Sequence, residues 1–129
     1  MAHYILDKAY KITNKGGVPE GRVVVQGDLD GECMLPAAAN AGAILGVTVY
    51  SASVQNQNAA VRKAGIAHVE AAGPILAGEP VNIADWEGRV KRVDELGKTK
   101  INCLGFAETS AAEKGDAVEV FISLHERTA

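Results

Sequence analysis

The sequence predicts a mainly β protein: a small sandwich- or barrel-like domain carrying an extended N-terminal arm, with at most one or two short helical turns. Three observations predict it. Short apolar runs rich in β-branched residues alternate with Gly, Asp, Asn or Pro, the punctuation of many short strands. The 14 glycines are spread along the chain rather than clustered, as turns between such strands require. Near the end, "DAVEVFISLHE" alternates strictly, with Val118, Val120, Ile122 and Leu124 on one face and Glu119, Phe121 and Ser123 on the other, the period of a half-buried strand. A chain of 129 residues is of single-domain size, which divides into an arm over residues 1–15 and one β-rich domain over 16–129.

Taken in order, the arm places Tyr4, Leu6, Tyr10 and Ile12 on one side of an extended strand with charges between them. Such an arm pairs within its own domain or reaches a neighbour. The strands expected next are "GRVVVQ", "AILGVTVYS", "GIAHVEA", "PVNIA", "GRVKRV" and "KINCLGFAE". Residues 51–65, "SASVQNQNAAVRKAG", have no clean helical stripe, and their middle "QNQN" reads as a polar loop. The one helix signal is "TSAAEKGD", where Ser110 precedes Glu113 by three residues as in a capping box and Gly115 stands where a turn of helix would end.

The chain also echoes itself. "GGVPEGRVVVQGDLDGECML" and "GPILAGEPVNIADWEGRVKRV" share an order: two spaced glycines, a β-branched strand, an acidic turn near a Gly, and a further apolar stretch. "AILGVTVYSAS" likewise corresponds to "NCLGFAETSAA". The copies lie 57 to 59 residues apart, as Gly31 to Gly88 and Leu45 to Leu104 show. Two pseudo-repeated β units, 16–71 and 72–125, would account for this; so would unrelated hairpins that share one grammar.

Composition narrows the functional classes. Aromatic residues make up only 5% of the chain, so the Ala- and Val-rich core is thin and stability shared with neighbouring subunits is expected. The net charge of −3 gives no basic face for nucleic acid. The one basic cluster is Arg89, Lys91 and Arg92 in "GRVKR", either a solvated strand face or a patch for a partner. Cys33 and Cys103 sit apart in apolar stretches without a CxxC, the pattern of buried reduced thiols rather than of a zinc site. The charged first run is unlike a signal peptide, and no apolar run reaches the ~20 residues of a membrane span. A soluble product made in a cytoplasm, without contact to membrane or nucleic acid, is therefore expected.

"GDLDGE" offers Asp28, Asp30 and Glu32 at the first, third and fifth places of a calcium loop. The sixth place, which needs Gly, holds Cys33, and the twelfth, which needs Glu, holds Ala39. Its counterpart "ADWEGR" puts Trp86 between Asp85 and Glu87. Both fit acidic hairpin tips that keep a turn soluble or meet a basic patch on a partner. Nothing near Asp28 to Glu32 predicts the cleft that would hold the facing carboxylates of a paired-carboxylate hydrolase. His3, His68 and His125 lie in no nucleophile motif, and His68 shares a strand face with Ile66 and Glu70. "GGVPEGRV" and "GPILAGEP" space two glycines like a phosphate loop, but lack its Lys and hydroxyl. No enzyme activity, cofactor or metal is expected.

The order "AGAILGVTV", then "KAGIAHVEAAGPILAGEPVNIADWEGRV", then "CLGFAETSAAEKGDAVEVFISL" resembles the tailed-phage head decoration, or capsid cement, proteins. The likeness covers roughly Pro19 to Leu124. It departs from shorter relatives at "YSASVQNQNAAVRK" and at the terminal "HERTA". The resemblance implies a β-rich structural protein that forms homotrimers on the capsid exterior of a virion and clamps the major capsid protein. The surface candidates for such partners are Tyr4, Leu6, Tyr10 and Ile12 of the arm, docking by strand addition, and Arg89, Lys91 and Arg92. Two other classes stay open: a cellular β-barrel module binding a glycan or peptide, with Trp86 and Tyr50 as its aromatics, and a small enzyme in which Asp28, Asp85 or Glu87 meets a neighbour's His68.

Overall fold

Alternation and turn chemistry produce nine strands and no helix among residues 5–52, 54–93 and 100–128, the residues that the computed structural model describes. They are β1 (Leu6–Ile12), β2 (Val23–Gln26), β3 (Glu32–Met34), β4 (Ile44–Thr48), β5 (Asn58–Glu70), β6 (Pro80–Ile83), β7 (Val90–Arg92), β8 (Lys100–Ala107) and β9 (Ala117–Thr128). The order β1-β3-β2-β4-β5, with β5 pairing back onto β1, closes a five-stranded barrel. Closure leaves none of these strands as an open edge. Inside it lie Tyr10, Ile12, Val24, Cys33, Ala59 and Val61. Tyr10 is the one aromatic side chain in the buried core of the described residues.

The strand β5 is long enough, at 13 residues, to serve twice. Its first half closes the barrel and its second half starts the next unit, β5-β9-β8-β6-β7. A parallel bridge from Ala71 to Val90 returns the end of β5 to β7, as Ile12 pairs with Cys33 in the barrel. The correspondence runs through the pairings. Tyr10 faces Ala59 as Val69 faces Val118; Val25 faces Met34 as Asn82 faces Lys91. It extends to the loops: the Gly21 amide donates to the Thr48 carbonyl (2.8 Å) as Gly78 donates to Ala107 (2.7 Å), and Gly27 donates to Glu32 (2.9 Å) as Ala84 donates to Arg89 (2.8 Å). In this alignment the counterpart of β1 is the second half of β5.

Val23, Val24 and Val25 are all buried, because the two faces of β2 meet different cores. Val24 points into the barrel, while Val23 and Val25 join Val47, Val81, Ile83 and Leu104 in the cluster that unites barrel and second unit. Leu124 follows the alternation of β9 yet is half exposed, since β9 runs past the end of that core. The capping-box segment makes a turn rather than helix. Ser110 Oγ accepts the Ala77 amide (3.1 Å), Ala111 exchanges bonds with Ile75, and Asp116 Oδ2 accepts the amides of Ala112 and Glu113. The Ser110 hydroxyl and the Glu113 amide, which a capping box would join, are thus engaged with Ala77 and Asp116.

Candidate functional site

The two acidic tips have different fates. At the first, Gly31 takes φ 78°, Glu32 Oε1 accepts the Leu29 amide (3.1 Å), and Gln26 Nε2 donates to the Leu29 carbonyl (3.0 Å). It is an exposed turn with Leu29 at its apex, and its Gly31 carbonyl accepts the Lys11 amide of β1 (2.8 Å). The second tip is tied into its own chain. Asp85 Oδ1 accepts the amides of Glu87 (3.0 Å) and Arg89 (3.3 Å), which folds the tip, and the Val23 amide donates to the Gly88 carbonyl (2.8 Å).

Two guanidinium groups then hold the tip: Arg22 ties it to the barrel side, and Arg89 ties it to Glu70 at the end of β5. Arg22 Nη2 meets Glu70 Oε2 at 3.0 Å, and its Nη1 donates to the Glu87 carbonyl at 3.0 Å. Arg89 donates from Nε to Glu70 and lies 2.6 Å from Glu87 and 3.5 Å from Asp85. The hydrogen bond to Glu70 raises the Arg89 pKa further above its ordinary value, against an opposing desolvation. With the Arg22 and Arg89 side chains only 13% and 16% exposed, this is a half-buried network at the joint between barrel and second unit.

That joint separates the basic cluster seen in the sequence. Arg89 serves the network, Lys91 is half-buried, and Arg92 is exposed with Glu79 at 3.8 Å. The arm residues also divide. Tyr10 and Ile12 are core residues of the barrel, inaccessible while β1 is seated, whereas Leu6 is exposed; Tyr4 lies outside the described residues. Beside Tyr10, Lys63 Nζ donates to its hydroxyl (2.7 Å), and Lys8 Nζ stands 5.3 Å from the ring centroid.

Chemistry-bearing groups elsewhere are dispersed. A shallow groove of about 270 Å³ beside Glu20 and Gly21 includes Tyr50, Arg62 and His68. His68 is open to solvent, 3.8 Å from Glu119. Arg62 is held by Asp7 (2.9 Å), the hydrogen bond that raises its pKa most. Cys33 and Cys103 are buried free thiols. Among the described residues no three His, Cys, Asp or Glu side chains are grouped to hold a metal ion.

Sequence reasoning did not find the face that the second unit turns outward. There Phe106 stacks on His125 with centroids 4.9 Å apart and rings 3° from parallel. Arg127 lies over the same ring at 5.6 Å and donates from Nε to His125 Nε2 at 2.9 Å. Next to this stack stand Phe121 and Ile66, 47% and 40% exposed. The signal was present in "DAVEVFISLHE", where a Phe occupies the side otherwise given to Glu and Ser.

The described residues form a closed five-stranded barrel extended by a second β unit, with a salt-bridged joint and a face of the second unit that exposes Phe121. No protein-family model matches the chain, and no curated protein matches it in sequence. Among solved structures it is similar to the N base of the head fiber gp8.5 of bacteriophage phi29. The TM-score is 0.64 at 19% identity, over 93% of this chain and 95% of that one. At that identity the likeness is one of fold.

Proposed function

We propose that this chain is a structural virion protein that binds the outer surface of a phage capsid as an oligomer and stabilises the lattice of the major capsid protein. The observation that carries this reading is the end-to-end likeness to the phi29 head fiber base, 93% of one chain against 95% of the other. The likeness in fold thus runs nearly the full length of both chains.

The side-chain chemistry supports the same reading. Arg22, Glu70, Glu87 and Arg89 are spent on the network at the joint, and Asp7 on Arg62. A non-enzymatic role at the capsid exterior asks for no more than a stable body with contact faces. Standard contacts bury ~800 Å² per partner, and an oligomer that touches several capsid subunits multiplies modest affinities. The partners are therefore the major capsid protein and further copies of this chain.

Co-sedimentation with expanded, empty heads of the phage that encodes the protein tests the reading. Saturable binding is expected. A protein that stays in the supernatant at every concentration would sink it.

A further inference from the structure

We propose that the groove between the loop Pro19–Gly21 and the second half of β5 is a binding site for an uncharged saccharide. The capsid reading neither requires this site nor depends on it.

The two β units build the same loop frame and equip it differently. In the barrel the Glu20 amide donates to Ser51 Oγ (3.2 Å) and Val18 bridges Ala52. In the second unit the Ala77 amide donates to Ser110 Oγ (3.1 Å) and Ile75 bridges Ala111. Glu20 and Tyr50 therefore stand where the second unit has Ala77 and Thr109. Arg62, which faces Asp7 as Phe121 faces Ile66, stands where the second unit has Phe121. Since both units close the frame alike, these three side chains are not needed to build it. They line the groove of about 270 Å³, with Tyr50 70% exposed. A second depression of about 370 Å³ shares Glu20, Gly21 and His68 with the first and runs on to Gly115 and Ala117.

The polar groups are fixed in place without a ligand. Thr48 Oγ1 donates to the Pro19 carbonyl (2.8 Å) and accepts the Arg22 amide (3.1 Å), which holds the loop. Arg62 Nε and Nη2 hold Asp7 (2.9 and 3.2 Å) and its Nη1 the Ile66 carbonyl (3.0 Å). Each terminal nitrogen of that guanidinium keeps one further N–H to offer. Gly21 has φ 73°, and a Cβ there would lie 3.2 Å from the His68 carbonyl oxygen. The stretch that the two depressions share is thus bare backbone.

The ligand class follows from this inventory. An anion would find Arg62 already neutralised by Asp7 and the exposed Glu20 against it. A cation would find the Arg62 guanidinium in the same wall as Glu20. A peptide added to the edge of β5 would find it occupied, by Arg62 on the Ile66 carbonyl and by the Gly21 carbonyl on the Glu70 amide. An uncharged ligand rich in hydroxyls suits all the groups at once. Its hydroxyls accept from Arg62 and donate to Glu20, while the C–H face of a sugar ring suits the negative face of the Tyr50 ring. The two joined depressions give it room for more than one ring.

The test is an NMR titration of the amide shifts of the isotope-labelled full chain. The probes are maltotriose, lactose and chitotriose, with inorganic phosphate and trilysine as charged controls. Saturable shifts centred on Glu20, Tyr50 and His68 are expected with a saccharide, and none there with either control. Tyr50→Ala, at an exposed position, is expected to keep the cooperative circular dichroism melt while weakening binding roughly tenfold or more, as loss of an anchor does. Trp86→Ala, at the exposed aromatic of the second tip, should leave the binding unchanged. The proposal is overturned if none of the three saccharides gives a saturable shift, or if the shifts centre away from the groove. Phosphate or trilysine taking the groove in place of a saccharide, or binding that Tyr50→Ala leaves intact, would overturn it too.

Discussion

Gly46 and Gly105 occupy equivalent places in β4 and β8, and a methyl group at either would run into the backbone of the next strand, at the carbonyl of Arg62 or of Phe121. This close approach explains why "LGV" and "LGF" place a glycine inside a strand, where it otherwise weakens pairing. Gly105→Ala is expected to cost ~2–4 kcal/mol in urea unfolding; a loss below about 0.5 kcal/mol would contradict the packing. Cys33 gives a second prediction. Burial pushes its thiol up to about 11 from an ordinary value near 9. The folded chain therefore holds its proton where the unfolded chain has released it. The resulting stability is intact below pH 9 and lost as pH rises toward 11, about 2–3 kcal/mol in all. Cys33→Ala should flatten that alkaline limb of the stability curve, and an unchanged slope would contradict it. At this scale the sequence showed that the carboxylates of the tips build turns. It did not show which tip the arginines hold, because Arg22 finds the Glu87 carbonyl across 65 residues, a distance over which no local pattern speaks.

The elements were legible in proportion to their alternation. β2, β4, β6, β7, β8 and β9 fall on expected strands, and the Leu-Gly pairs and acidic tips reappear at equivalent places in the two units. The first half of β5 was not seen, since Ala59 and Val61 alternate too weakly within "NQNAAVRK" to mark a strand. Pairing with β1 and β4 supplies what local propensity lacks. The turn at Ser110 shows the converse, a helix signal overridden by tertiary hydrogen bonds. The joint between the units is where element and side chain meet most closely. The Glu70 amide donates to the Gly21 carbonyl (3.0 Å) while its carboxylate holds both arginines. Glu70→Ala leaves two half-buried guanidinium groups short of a partner and is expected to destabilise by ~1–3 kcal/mol. A double-mutant cycle with Arg22→Met should show coupling of ~0.5 kcal/mol or more; strict additivity would remove the network from the account of stability.

For the whole molecule, the arm read from the sequence is the strand that closes the barrel: β1 pairs with both β3 and β5 and carries Tyr10 and Ile12 into the core. Its alternation was visible, but its destination was not, since a strand that leaves one apolar side open is the same in sequence whether it covers its own barrel or a neighbour's. The same limit applies to the outer face of the second unit, whose row of Ile66, Phe121, Phe106 and Pro80 exists only once four strands are in register. Outward, the described residues present a salt-bridged joint and the apolar row of the second unit. Binding to a capsid exterior is the central claim, and a cryo-electron microscopy difference map between bare expanded heads and heads saturated with this protein tests it most directly. The account predicts added β-barrel density on the outer surface of the shell, bridging neighbouring capsid subunits; heads without added density, or with density only on the inner surface, would contradict it.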